Sequence, residues 1–454
     1  MKLFKDQFIK GATFLGVGTL ISKILGAIYR VPLTNMIGGY GMGIYQTVFP
    51  LYAILLDFSG AGAPSAISKI ISSYNGVDKE NYAYGYLKTA IKIFSFLGLI
   101  FTLFMFVLSG VISKLQGCPQ ARLPYLFLSP AIVFVCIVSC YRGYFQGLLD
   151  MKPTAYSQIV EQLIKLILGL FLARLFYPNV ELSVVGTTLA ITISEIVAMI
   201  YLVRVYKKRN NKLNLKLVYS NSNFKCRAKT LIKTSVPFVL LGVALPLSHL
   251  IDSFLVVNIM NDYTDKATVL YGLMSGAVHT ITNLPVAVCY GISTVTIPSV
   301  SSAQDVNEKN KRIEKSLLLT LLVSCICAFG CYFFAPFAVK ILFGGLSIVE
   351  RNITVGLLRF CSPCIVLLCL MQTQNSVLVA KNKIFFPVIT LFIGVALKTV
   401  VSVIGLRQSS INIYGSAIGL ITCYFFVCLV NLVMIIYLKV KDESKSRCVR
   451  QPAS

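Results

Sequence analysis

The sequence has 454 residues, 56% of them hydrophobic and 13% charged, with a mean hydropathy of +0.77 and a formal net charge of +25. Soluble domains carry about 45–50% apolar and about 25% charged residues, so a soluble globular protein is excluded: one core cannot hide this much apolar surface. The Lys and Arg residues fall between long apolar runs, which makes anionic phospholipids the expected surface partner and argues against nucleic acid.

In chain order the apolar runs predict transmembrane helices at 12–33, 41–63, 84–112, 123–148, 154–177, 182–204, 233–257, 270–298, 316–343, 352–380, 384–406 and 413–438. Each is long enough, at about 1.5 Å per residue, to cross about 30 Å of hydrocarbon. Open sheets cannot exist in lipid, and the runs are too long for barrel strands. The basic start MKLFKDQFIK leads into a run that carries Lys23 and Arg30 and shows no small-residue cleavage site, so an uncleaved first helix is expected. Most of the fourteen cysteines lie inside apolar runs and read as small hydrophobes. That includes the Cys361–Cys364 pair beside Pro363, since redox or metal use needs an accessible thiolate.

The connections give an orientation. Basic residues crowd the N-terminus, the even-numbered gaps (Lys69 and Lys79; Lys152; Lys207 to Lys229; Lys309 to Lys315; Lys381 and Lys383) and the tail. The odd-numbered gaps hold only Lys114, Arg122, Lys266, Arg351 and Arg407. The alternation places both termini in the cytoplasm.

The halves resemble one another. Ser129-Pro130 in the fourth span matches Ser362-Pro363 in the tenth, Lys165 falls on Lys398 at the same offset, and Pro64-Ser65 matches Pro298-Ser299. Six helices return the chain to its starting side, so the expected repeat is parallel, with a substrate site between the halves. The expected organisation is an N-terminal six-helix lobe at 1–204, a basic linker at 205–232, a C-terminal six-helix lobe at 233–438 and a charged tail at 439–454. The linker's charge is already explained by a solvated loop that sets topology.

An ionisable group at the bilayer centre costs roughly 2.5–3.5 kcal/mol on insertion scales, so each one needs a reason. Lys23 sits near mid-depth of the first span and Arg30 follows two turns on along the same face. This basic stripe suits an anion, with the Arg30 fork matched to phosphate. On the other reading Arg30 reaches outward to the interface and Lys23 pairs with an acid. Glu161 and Lys165, four apart, stand in the order that favours a helix ion pair. Lys398 mirrors Lys165. Asp57 and Glu195 read equally as a proton or cation site or as counter-ions. His249 and Asp252 are three apart on the seventh span, with Asp252 near enough to the outer interface for hydration. The substrate-binding candidates are thus Lys23, Arg30, Lys165 and Lys398, and the coupling or counter-ion candidates Asp57, Glu161, Glu195 and Asp252.

No enzyme is expected. The sequence has no P-loop, metal-ligand cluster or G-x-S-x-G, and only two histidines. With no nucleotide-binding element and no cofactor, energy comes from an H+ or Na+ gradient or from the substrate itself.

The stretch 18–70, GTLISKILGAIYRVPLTNMIGGYGMGIYQTVFPLYAILLDFSGAGAPSAISKI, resembles the opening of the stage V sporulation protein B family. The likeness continues in ALPLSHLIDS, ITNLPVAVCYGISTVTIPSVSSA and NIYGSAIGLITCY and covers essentially the whole chain. That family belongs to the multidrug/oligosaccharidyl-lipid/polysaccharide (MOP) flippases. The resemblance implies two six-helix lobes around a central cavity with alternating access, and a lipid-linked saccharide diphosphate of polyprenyl type as substrate. Ser22, Lys23, Gly26 and Arg30 match a Ser-Arg…Gly…Arg-Asp run of the superfamily's lipid II flippases, with Val31 where those have Asp. Those flippases carry two further C-terminal helices, where a charged tail follows here. The expected function is a flippase of a cell-wall precursor in spore cortex or cell-wall synthesis, working beside cell-wall synthesis enzymes. A cation-coupled exporter of drugs or metabolites and a non-transporting scaffold for wall synthesis are the alternatives.

Overall fold

The computed structural model describes residues 2–74, 79–213, 224–301, 305–383 and 385–450. Among these no strand occurs, and the chain divides into two compact units, Met1–Phe254 and Leu255–Ser454. Nine helical stretches among the described residues are long and apolar enough to cross a membrane. The first, Phe14–Ser72, covers the first two expected spans, while the expected fifth and eighth spans are helical without being among the nine.

In the first unit the helices are α1 (Lys2–Leu56), α2 (Gly62–Ser72), α3 (Lys79–Leu115), α4 (Arg122–Leu128), α5 (Ala131–Gly147), α6 (Lys152–Leu175), α7 (Val180–Leu213) and most of α8 (Phe224–Asn261). The first two expected spans are joined in α1 by a bend rather than a loop. Gly38 sits there at φ 64° and ψ −174°, a conformation essentially closed to residues with a Cβ. Replacing Gly38 by Ala should cost about 1–3 kcal/mol, seen as a lower thermal unfolding midpoint in detergent. Gly16→Ala, where an added Cβ meets nothing within 4 Å, should not lower that midpoint. A π-turn, Asp57–Ala61, links α1 to α2.

α6 packs extensively on α7 and on α1, and α5 packs on α2, α3 and α7. The core between them holds Tyr29, Leu33, Met42, Tyr45, Ile67 and Tyr144. Large apolar side chains also point outward, such as Phe96, Val107, Ile167 and Phe171. A surface this apolar suits lipid rather than water.

The second unit comprises the end of α8, then α9 (Ala267–Gly272), a second π-turn (Leu273–Val278), α10 (His279–Ser301), α11 (Val306–Phe333), α12 (Ala335–Leu342), α13 (Ile348–Ala380), α14 (Phe385–Leu406) and α15 (Tyr414–Arg450). α13 is its centre, against α10, α11 and α15, and α14 lies along α15. Cys361 and Cys364 are buried on α13.

The repeated Ser-Pro pairs share a local device. Proline has no N–H to give to the carbonyl four residues back. In each unit the preceding serine hydroxyl donates to that carbonyl instead: Ser129 Oγ to Leu126 O at 3.0 Å, and Ser362 Oγ to Arg359 O at 2.9 Å. The outcomes differ. Pro130 separates α4 from α5, with the Ser129 carbonyl accepting from Thr102 Oγ1 at 3.1 Å, whereas Pro363 stays inside α13.

The basic stretch expected as a linker is partly helical, because α7 continues to Leu213 and α8 starts at Phe224; residues 214–223 lie outside the described ones. Arg209 does more than sit in a solvated loop. Its guanidinium reaches Glu80 and Asp150, each at 3.2 Å, and ties the start of α3 and the turn before α6 to the end of α7. The charged tail is also anchored: Lys381 holds Asp442 at 3.0 Å, and Lys439 holds Glu314 at 2.7 Å.

Candidate functional site

Small residues draw α1 and α6 together. A Cβ added at Gly18 would come within 2.7 Å of Ala155 Cβ, and one at Gly26 would sit 3.5 Å from Gln162 Oε1. Thr19 Oγ1 donates to Gln158 Oε1 across this seam at 3.1 Å. Further along, Tyr29 is buried against Gly169, where a Cβ would stand 2.7 Å from its ring. Lys165, one turn before Gly169, therefore lies between two aromatic rings. Its Nζ is 5.5 Å from the Tyr29 centroid and 5.4 Å from that of Phe49, within cation–π range.

The expected Glu161–Lys165 pair is not formed. Glu161 instead takes Arg142 of α5, Nη2 to Oε2 at 2.8 Å, and accepts from Gln162 Nε2 at 3.0 Å. Arg142 also donates from Nε to Ser157 Oγ at 2.9 Å. A guanidinium fork binding a carboxylate and a hydroxyl together is held better than a flexible ammonium one turn away, so Arg142 wins the carboxylate. Glu195 on α7 is 7% exposed and lies within electrostatic range of Glu161, Arg142 and Lys165, while its Oε2 accepts no hydrogen bond among the described residues. Three helices thus contribute Arg142, Glu161 and Glu195 to one buried polar cluster. The sequence reading passed over Arg142; the signal available was an arginine inside an apolar run.

Lys23 stands exposed on α1 and Arg30 half-buried. Neither Arg30 nor Lys165 has a carboxylate within ion-pair distance among the described residues. Asp57 opens the π-turn beside α8, where a Cβ at Gly242 would be 3.3 Å from its Oδ1. Asp252, expected to be hydrated near an interface, is buried on α8 and engaged with neighbours. Lys398 belongs to the second unit and is 1% exposed under α15, where Gly419 sits against its backbone. Its surroundings differ from those of Lys165 despite the matched sequence offset.

Residues 8–304 match the family model described as polysaccharide biosynthesis protein, and residues 277–446 match that of the lipid II flippase MurJ. Stage V sporulation protein B of Bacillus subtilis (strain 168) is 26% identical over 98% of this chain and 88% of its own length. The lipid II flippase MurJ of the same organism is 25% identical over 93% of this chain and 82% of its own. Among solved structures, an inward-facing MATE transporter of the MOP superfamily superposes with a TM-score of 0.75 at 15% identity, covering 94% of this chain and 96% of that one. A lipid II flippase MurJ in an inward closed conformation superposes with a TM-score of 0.70 at 16% identity, covering 97% and 93%. The fold is that of MOP transporters and flippases, and the chain is a multi-pass membrane protein. With a match that runs over residues 8–304, well over half its length, the chain belongs to the polysaccharide biosynthesis protein family.

Proposed function

We propose that the protein is a flippase that carries a lipid-linked cell-wall precursor, lipid II or a related polyprenyl diphosphate saccharide, from the inner to the outer leaflet of a bacterial cell membrane. Both termini face the cytoplasm, and spore cortex or cell-wall synthesis is the setting. The observation that carries this reading is the charge balance on α1 and α6. Arg142 takes Glu161, and Lys165 and Arg30 have no carboxylate within ion-pair distance among the described residues. A diphosphate headgroup supplies the missing negative charge, and Arg30 offers it a forked donor. Of the two Bacillus relatives, the lipid II flippase MurJ agrees by name with wall-precursor chemistry and stage V sporulation protein B with a sporulation setting. The alternation of headgroup exposure between leaflets would be directional only if the two conformations bind it differently.

The test is the accessibility of labelled lipid II in the outer leaflet of cells depleted of other flippases. The intact protein should restore the signal, and the Lys23→Ala/Arg30→Ala variant should lose about tenfold or more of it at equal membrane abundance, since removing charge-assisted phosphate contacts costs at least 1.4 kcal/mol. Full activity of that variant would reject the anion site.

A second reading of the energy source has its own observation. Glu195 is buried beside Glu161 with one oxygen unsatisfied, and a carboxylate in that position can take up H+ or Na+. Transport that follows an imposed gradient, and loses that dependence in Glu195→Gln, would support ion coupling.

A further inference from the structure

Basic residues on the charge-poor face of the membrane do nothing for topology, and only five lie in the odd-numbered gaps. Two of the five, Lys114 and Arg122, line a single cavity of about 670 Å³ between the end of α3 and the start of α4. Neither has a carboxylate within ion-pair distance among the described residues. Arg122 lies along Gly110, where an added Cβ would stand 3.5 Å from its Nε and 3.6 Å from its Cδ, so the missing side chain gives the arginine its seat.

The turn between the two cations is hydrogen-bonded into place. Gly117, at φ 68°, ends α3, with its N–H donating to Lys114 O at 3.0 Å and that of Cys118 to Ser113 O at 3.0 Å. Behind it Gln116 is fully buried. Its Nε2 donates to Thr47 O at 3.2 Å and to Ser253 Oγ at 2.9 Å, and its Oε1 accepts from Tyr125 at 2.8 Å. Besides Ser109 and Ser113, whose hydroxyls donate to carbonyls of α3 itself, the remaining wall carries an exposed apolar strip: Val107 is 72% exposed and Val111 55%, one turn apart on α3, with Phe106 beside them.

Two uncompensated cations above an exposed apolar strip match one kind of molecule, a lipid with a phosphate head and acyl tails. A soluble phosphate would leave the apolar strip unused. We propose that this cavity is a binding site for an anionic phospholipid, with the phosphate between Lys114 and Arg122 and an acyl chain along Val107 and Val111. The volume falls in the range of about 300–1,000 Å³ usual for small-ligand sites. The inference stands independently of what the protein transports.

The test is native mass spectrometry of the full chain in detergent, titrated with phosphatidylglycerol and with phosphatidylethanolamine of the same acyl chains. The intact protein should retain phosphatidylglycerol in preference. The Lys114→Gln/Arg122→Gln variant should bind it about thirtyfold more weakly, as expected for removing two near-surface basic charges. A control, Lys309→Gln/Lys311→Gln, removes two charges that do not line the cavity and should bind as the intact protein does. If the charge variant fails to fold, Gly110→Leu, which fills the seat of Arg122 and keeps both charges, should give the same loss. Equal retention of the two lipids, equal losses in test and control variants, or full competition by glycerol 1-phosphate would each overturn the proposal.

Discussion

Replacing Arg142 by methionine should destabilise the first unit by about 3–5 kcal/mol and abolish transport. That range is the usual cost of removing one partner from a buried ion pair, because the other charge is left uncompensated. Here the Arg142–Glu161 side chains are only 14% and 15% exposed, and the guanidinium also holds Ser157. Its loss strands Glu161 and removes one of the two positive charges within electrostatic range of the buried Glu195, so two acids on adjacent helices then repel each other in low dielectric. The thermal unfolding midpoint in detergent and the leaflet-accessibility signal should fall together. Arg142→Met/Glu161→Gln should recover part of the stability, because taking away both partners costs less than taking away one. It should not recover transport if the cluster positions Lys165. A single variant as stable as the intact protein would show that the ion pair contributes little.

The largest steric effect should come from Gly415→Val. A Cβ at Gly415 would lie 2.5 Å from the Gly405 carbonyl carbon and 2.6 Å from the Leu406 nitrogen, and one at Gly405 would lie 2.7 Å from Gly415 Cα. These neighbours are backbone, so neither side can rotate away and α14 and α15 must separate. Overpacking usually costs about 1–3 kcal/mol, and backbone against backbone should exceed that. Gly419, one turn on, completes a G-x-x-x-G face of the kind that brings membrane helices close. Its own Cβ would be 2.9 Å from Lys398 O, so separation of the two helices would also uncover Lys398. The expected result is little folded protein in size-exclusion profiles of detergent extracts. Gly330→Val on α11, where a Cβ meets nothing within 4 Å, should behave normally. Equal behaviour of the two variants would refute the close approach.

The sequence by itself determined the class of molecule: apolar runs of membrane-spanning length can only be helices, because lipid offers no partner for an open backbone. It also marked the repeat through Ser129-Pro130 and Ser362-Pro363, and the polar residues Lys23, Arg30, Lys165, Glu161 and Glu195, since an ionisable group inside hydrocarbon stands out by its cost alone. Only the tertiary structure decided who meets whom. Sequence spacing shows neighbours on one helix, so it offered Lys165 to Glu161, but the carboxylate went to Arg142 across a helix–helix contact. Hydropathy placed Asp252 near water, where packing buried it. The bend at Gly38 replaced an expected loop, because φ and ψ at one residue are invisible to composition. The seat of Arg122 on Gly110 was equally out of reach, since it depends on the approach of two chain segments and on nothing within either.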